Sequence, residues 1–586
     1  MQILIYGALI GWLPVCLLLF VLFPQRQAIL IGILGAWLFL PSLSLSISGL
    51  PDYSKTSAFS YGILLSLLIF APDRFTRFRP CWLDLPLACY VVGNFITSIS
   101  NDLGVYDGLS AMNNAMTYCG APYLIGRVSF ENLRDLRDLS IGIVVAGLVY
   151  VPFCLVEMAV GPIFATKLYA TYTFSDIRLG GFRPHVFLTN GLELGLWMTI
   201  CSLIGVWLWW SGSVKRIAGV RFGAVLLPIL LLTTLFCRSS GALVLLGLTL
   251  AIMWASRVLN RRILTHAWVF ACFIYMAVRI LNFWDYSDLI EILTKNFDAD
   301  RAQSLEFRFQ NEDMLIEKAL QKPFLGWGRF GRSRVTDETG KDISVTDGLW
   351  IIAFGEFGLL GVTSLLLITA LPAAVAVSRI PTRRWRSPDV GPIVALVGGN
   401  AAYLGDILMN SFQNSVVLVS AGAITTVIQT KALRLGSASG FENAGRREGA
   451  EPPRPEPVAV EERVAARYVE MARGLRRGGD YEGAVGARRH ARELLAELAE
   501  TGRETAGGRR SRLDCDNDLA WLLATRPDPT PGDREEAADL ARRTVEAAPD
   551  NPAYWNSLAL VLCRVGRFEE AQTAARRSME LDEAWN

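Results

Sequence analysis

Apolar runs of membrane-spanning length recur through the first three quarters of this chain, and they constrain its fold more than any other feature. In order they cover 2–23, 28–47, 58–71, 83–100, 108–126, 139–160, 188–210, 222–237, 241–255, 268–284, 348–377, 391–409 and 416–429. In hydrocarbon each backbone N–H and C=O must find a partner inside the segment, so runs of this kind fold as helices. A crossing takes about 20 residues, which gives about 12–13 spans, some short or kinked, with 58–71 and 222–237 the shortest. The run 2–23 has neither the basic start nor the small-residue cleavage site of a signal peptide and counts as a span. The expected fold is therefore all-α: a polytopic helical bundle over 1–431, followed by a small soluble helical domain.

Charge is segregated along the chain, so the net charge of +2 says little. Basic residues gather in alternate short loops: Arg74, Arg77 and Arg79; Arg127, Arg134 and Arg137; Lys215, Arg216 and Arg221; Arg257, Arg261 and Arg262; Arg379, Arg383, Arg384 and Arg386. With the spans counted as above, all of these fall on one side, which the positive-inside rule makes cytoplasmic. The other side receives 51–57, 101–107, 161–187, the corner at Arg238 and a long loop, 285–347. The ten cysteines form no CxxC pair and the three histidines, His185, His266 and His490, are far apart. A disulfide scaffold and a zinc site are thus unsupported. Neither a GxxxxGK[ST] loop nor HExxH occurs, which argues against an ATPase or a zincin.

The long loop has its own pattern. In RAQSLEFRFQNEDMLIEKALQKPFLGWGRFG, Leu305, Phe309, Ile316 and Leu320 recur at helical spacing, and Arg301 and Arg308 share a face. Pro323 ends this helix, and Gly326, Gly328 and Gly331 supply a sharp turn. Arginines on the expected outer side break the charge bias: Arg178 and Arg183 in DIRLGGFRPHVF, Arg238 in FCRSSGALVLL, and Arg301, Arg308, Arg329, Arg332 and Arg334 in the loop. An edge arginine either snorkels to headgroups or lines a wet cavity with a partner. Three groups on one face, each beside glycines, favour a shared anion site. The planar guanidinium suits phosphate because it offers two hydrogen bonds at once.

The stretches RLGGFRPHVFLTNGLELG, CRSSGALVLL, and FRFQNEDMLIEKALQKPFLGWG through TDGLWIIAFGEFGLLG, in that order, resemble the O-antigen ligase and O-antigen polymerase family of bacterial polysaccharide enzymes. The likeness covers about 177–366, and the multi-span frame extends it to about 431. The resemblance implies a glycosyltransferase in the bacterial inner membrane that uses no nucleotide sugar. Such an enzyme takes a glycan from a polyprenyl diphosphate at the outer face and passes it to a glycan or lipid-linked acceptor. By motif position the diphosphate-holding arginines fall at Arg238 and at Arg183 or Arg178, and Arg308 matches the arginine ahead of the P-x-x-G-x-G turn. Family ligases carry a His before the following span. Asp347 stands there instead, which favours a polymerase over a lipid-core ligase.

The chemistry argues the same way. A diphosphate leaves well and needs only cations to stabilise its developing charge, so no metal and no cofactor are expected. The acceptor hydroxyl needs a base, for which Asp347 stands first, with Glu306 and His185 in reserve and His185 also a substrate contact. Asp347 has an alternative role as N-cap of the next helix. Membrane lipids are further partners, and no nucleic acid partner is expected.

After Lys431 the composition changes. GSASGFENAGRREGAEPPRPEP lies within a polar, Gly/Pro-rich linker, 432–460. The remainder, 461–586, is charged and helical. Its piece WNSLALVLCRVGRFEEAQTAARRSMEL resembles a tetratricopeptide repeat, with Trp555, Leu558, Gly566, Phe568, Ala571 and Ala575 at packing positions. About three hairpins fit, cytoplasmic by the count above, with a protein partner expected. Two other classes remain open for the whole chain: a transporter of lipid-linked oligosaccharide, which calls for paired half-repeats and intramembrane charge, and a non-catalytic scaffold for polysaccharide assembly.

Overall fold

A computed structural model describes residues 2–45, 52–169, 177–178, 180–296, 299–430, 480–501 and 506–583, together with 465, 468, 469, 471, 472, 475 and 476. The chain divides into two compact units, Met1–Ala444 and Gly445–Asn586. The expected linker 432–460 lies outside the described residues.

Among the described residues, the regular structure of the first unit is helical apart from two minimal hairpins and two isolated bridges. Helices α1 (Gln2–Leu22), α2 (Gln25–Phe39) and α3 (Lys55–Phe70) pack on one another. The run expected over 28–47 ends early because Pro41 forces Leu40 into an extended conformation (ψ 150°). A short α4 (Asp73–Thr76) leads to α5 (Leu85–Ser100), which pairs with α6 (Gly104–Ala115). A π turn, Met116–Gly120, joins α6 to α7 (Ala121–Ser129). Next come α8 (Leu133–Val160), the short α9 (Phe164–Tyr169) and α10 (Gly191–Trp210). Helix α10 is buried along nearly its whole length. The run at 222–237 is a π turn, Phe222–Leu226, continued by α11 (Leu227–Phe236). Helices α12 (Ser240–Val258) and α13 (Arg262–Ile280) follow. The long loop carries α14 (Ser287–Asn296) and α15 (Ala299–Leu320). Helices α16 (Leu349–Arg379), α17 (Gly391–Asp406) and α18 (Ser415–Gln429) close the unit.

Among the described residues, seven of these helices are long and apolar enough to cross a membrane: α1, α5, α8, α10, α12, α13 and α16. Four segments, Gln25–Phe39, Lys55–Phe70, Phe222–Phe236 and Ser415–Gln429, are apolar but shorter. The outer faces of α1, α12 and α13 expose large apolar side chains such as Ile10, Val21, Val244, Trp254 and Ile274, as lipid-facing surfaces do. The interior holds Trp197, Trp207, Trp350 and Trp385, all fully buried. The hairpins are β1 (Ile177–Arg178) with β2 (Gly181–Phe182), and β3 (Arg216–Ile217) with β4 (Val220–Arg221).

In the second unit, α19 (Tyr481–Glu500), α20 (Ala506–Thr525), α21 (Pro531–Ala547), α22 (Pro552–Val565) and α23 (Phe568–Glu583) pack consecutively. Leu519, Leu523, Ala541, Leu558, Leu562 and Ala571 fill the core. Thr530 caps α21, its side chain accepting from the Asp533 N–H while Asp533 returns the bond. Gly566 ends α22 in the left-handed region (φ 87°). Of the positions singled out above, Leu558 and Ala571 are buried, Trp555 and Ala575 pack on the core's edge, and Phe568 is exposed.

Candidate functional site

Packing sorts the loops of the first unit to two ends. Gly391 on α17 lies against Ser211 at the end of α10, Gly398 against Met253, and Gly405 against Leu245 and Trp268. The C-terminal end of α17 therefore shares one end of the bundle with the starts of α10, α12 and α16. The basic loops gather at the other end. There Arg74 donates to the Ser129 carbonyl, Arg137 to that of Ser213, and Arg386 to that of Trp210. Arg127, counted above as a loop residue, is buried in α7 and grips Asp84 with two nitrogens at 2.9 and 3.0 Å. It is a structural ion pair.

At the first end a buried carboxylate organises the segment between α8 and α10. Glu157, fully buried, accepts from four backbone N–H groups: Ile163 and Phe164 on one oxygen, His185 and Val186 on the other, at 2.7–3.0 Å. Val186 is held in the left-handed region (φ 55°), a costly conformation for a β-branched residue. Asn190 then caps α10 through the Leu192 and Glu193 N–H groups, and Glu193 accepts from the Thr189 N–H at 2.8 Å.

This scaffold brings two of the expected arginines together. Arg183 is 2% exposed and donates to the Ser239 hydroxyl at 3.0 Å. Burial excludes snorkelling for this residue. Arg238 occupies the corner between α11 and α12 in the left-handed region (φ 56°). Its guanidinium rests on Gly181, where a Cβ would overlap it. Ser239 is the N-cap residue of α12 but makes no capping hydrogen bond, its hydroxyl being engaged by Arg183. The start of α12, where N–H groups and helix dipole favour an anion, thus lies beside Arg238 and near Arg183. His185 is buried, its backbone fixed by Glu157. Arg178 pairs through its backbone with Gly181, and its side chain lies outside the described residues.

A second group forms around Asp347. Arg308 on α15 faces Asp347 at 3.5 Å and donates to the Met409 carbonyl at 3.2 Å. Asp347 does not cap α16. Gly348 is the N-cap residue with no side-chain cap, and the Leu349 N–H bonds to the Ile407 and Asn410 carbonyls. Asp406, 4% exposed at the end of α17, lies within reach of the Arg308 charge. One of its oxygens accepts from Asn410 at 2.7 Å, and the other is buried with no hydrogen bond among the described residues.

The long loop is fastened to neighbouring helices at two places and closed on itself at a third. The α16 helix breaks at Gly358 (φ 64°, ψ −165°), and the PFLGWG turn fills the gap. Trp327 and Gly328 N–H groups donate to the Gly355 and Glu356 carbonyls, while Leu359 and Leu360 N–H groups donate to Pro323 and Phe324. Asn311 accepts from the Val345 N–H at 2.8 Å. Glu312 is buried and accepts from Tyr275, Arg279 and Trp350 at 2.7–3.3 Å. Burial pushes its carboxyl above the usual range although these three donors pull the other way. On α15 itself, Phe309 and Ile316 are buried as the spacing predicts, whereas Leu320 is exposed. Arg332 and Arg334 pair with Asp107 and Asp342, and Arg329 and Arg334 both act on Glu356. The arginines after Pro323 thus face acids other than Asp347, the partner of Arg308. Glu306, the reserve base, is half-exposed.

The sequence-predicted residues therefore form two pairs at the same end, Arg183 with the Arg238 corner and Arg308 with Asp347. Sequence reasoning missed Glu157, Asp406 and Glu312; an acid inside or beside an apolar run was the available signal. Among the described residues no three His, Cys, Asp or Glu side chains converge as metal ligands. No family model and no curated protein sequence matches the chain.

Proposed function

We propose that the first unit is a glycosyltransferase of the bacterial inner membrane, acting on polyprenyl-diphosphate-linked glycan at its outer face. The observation that carries this reading is the meeting of Arg183, Ser239 and Arg238 at the head of α12. Two guanidinium groups from separate segments beside an uncapped helix start suit a diphosphate leaving group. Charge stabilisation there lowers the barrier without proton transfer to the leaving oxygen. The acceptor hydroxyl gives its proton to a carboxylate, Asp347 in the first instance, with Asp406 behind it across Arg308. Arg178, Arg308 and His185 position the donor and the loop around it. The four shorter apolar segments act as tilted or partial crossings, and with α17 and the α6–α7 segment they bring the seven long helices to 12–13. The basic end faces the cytoplasm, as does the second unit, a repeat domain that gathers a protein partner.

The resemblance to O-antigen polymerases, together with Asp347 in place of a histidine, makes polymerisation the preferred reaction. A deletion strain tests it: single repeat units accumulating on the carrier identify a polymerase, and long carrier-linked chains identify a ligase. Normal polysaccharide in that strain would overturn both.

A further inference from the structure

At the basic end of the bundle, the start of α8, the turn after α10 and the turn before α17 enclose a cleft of about 690 Å3. Arg134, Arg137, Lys215 and Arg216 line it, with Asp389 as its carboxylate. Asp389 faces Arg384 at 3.2 Å. The acids flanking Arg134 and Arg137 in the chain have other partners: Glu131 faces Arg77 at 3.2 Å, and Asp135 and Asp138 on α8 both face Arg26, at 2.8 and 3.5 Å. Among the described residues no carboxylate lies within ion-pair distance of Arg134, Arg137, Lys215 or Arg216. Arg137 is steadied by the Ser213 carbonyl at 2.9 Å.

A second observation comes from the β3–β4 hairpin. Its register sets Arg216 directly opposite Arg221, and both side chains are exposed. Like charges facing each other across two strands weaken a hairpin, and a pair of two-residue strands has little else to hold it. A bound anion offsets that repulsion. The level of the cleft is marked by Trp209, 53% exposed, and by Trp210, with Arg386 stacked on it at 5.5 Å. Tryptophans at a helix end mark the headgroup region.

We propose that this cleft binds the phosphate of an anionic phospholipid from the leaflet at that end. The inference does not rest on glycosyl transfer, and its readout involves no glycan. Each cation near a lipid phosphate contributes about fivefold in affinity. The test uses the full chain in a zwitterionic detergent, titrated with short-chain phosphatidylglycerol and, separately, phosphatidylcholine of the same chain length. Native mass spectrometry reads the bound lipid. Saturable binding of phosphatidylglycerol, weak binding of phosphatidylcholine, and a loss of about twentyfold in Lys215→Ala/Arg216→Ala are expected. Arg134→Lys keeps the charge and retains most of the binding. Elution and melting matched to wild type confirm folding, and Arg216→Gln alone, expected to lose about fivefold, serves if the double variant does not fold. Equal binding of the two lipids, or unchanged binding in the variants, would overturn the proposal. Competition by millimolar inorganic phosphate would assign the cleft to a soluble anion and overturn the lipid reading too.

Discussion

Glu157 bears four backbone donors on one buried carboxylate, and the position of Arg183 depends on it. Glu157→Gln replaces one acceptor oxygen by an amide N–H that faces two donors. Leaving buried donors unmet costs about 1–3 kcal/mol each, so a loss of about 3 kcal/mol is expected. Thermal unfolding in detergent measures this, and faster hydrogen exchange at His185 and Val186 locates it. An unchanged melt would mean that the segment is held elsewhere. Glu312 gives a pH-dependent counterpart. Its folded-state carboxyl is raised by burial, so its favourable contribution is full below the ordinary Glu value of about 4.3 and fades as pH rises through the raised value. Glu312→Gln does not titrate. Its stability deficit against wild type should therefore shrink as pH rises through that window, and a deficit that grows instead would contradict the burial argument.

Among the elements, the broken helix α16 and the PFLGWG turn are one structure in two pieces of chain. Gly358 adopts a conformation open almost only to glycine, and a Cβ there would overlap the Phe324 carbonyl carbon. Gly358→Ala should cost roughly 3 kcal/mol or more and release the turn. Faster exchange of the Trp327 and Gly328 amides is the measurement, and protection equal to wild type would refute the docking. Most helices of the first unit were legible in sequence, because apolar length alone decides helix in hydrocarbon. Hydropathy alone overextends the helix at 28–47, because Pro41 ends it while the apolar composition continues. The amphipathic α15 was legible from Phe309 and Ile316, which do face inward. The break at Gly358 was not, since a glycine in an apolar run reads as an ordinary helix residue until the partner turn is known. The arginines of the site stood out because they violate the charge bias. Glu157 and Asp406 lie inside the apolar runs 139–160 and 391–409, where hydropathy masks them, although a carboxylate there needs a partner as much as an arginine does.

For the whole molecule, the segregation of basic loops to one end predicts orientation. A cysteine placed at Thr339 should label from outside sealed cells, and labelling only after the membrane is opened would invert the account. The division between the two compact units, at residues 444 and 445, falls outside the described residues. Truncation after Arg447 should leave the first unit inserted and monodisperse, and loss of insertion would contradict its independence.

The central claim is that two arginines at the head of α12 hold a diphosphate during transfer. The direct test is product formation by purified protein from a defined polyprenyl-diphosphate-linked glycan, comparing wild type with Arg238→Lys and Arg183→Lys at matched protein concentration. Lysine keeps the charge, and at 238 it meets the same backbone strain, but it loses the two-toothed grip. The account predicts a fall in transfer of about 100-fold or more, the scale of losing one oxyanion donor, with insertion and melting unchanged. Near-normal product from Arg238→Lys would remove that residue from the site and contradict the account.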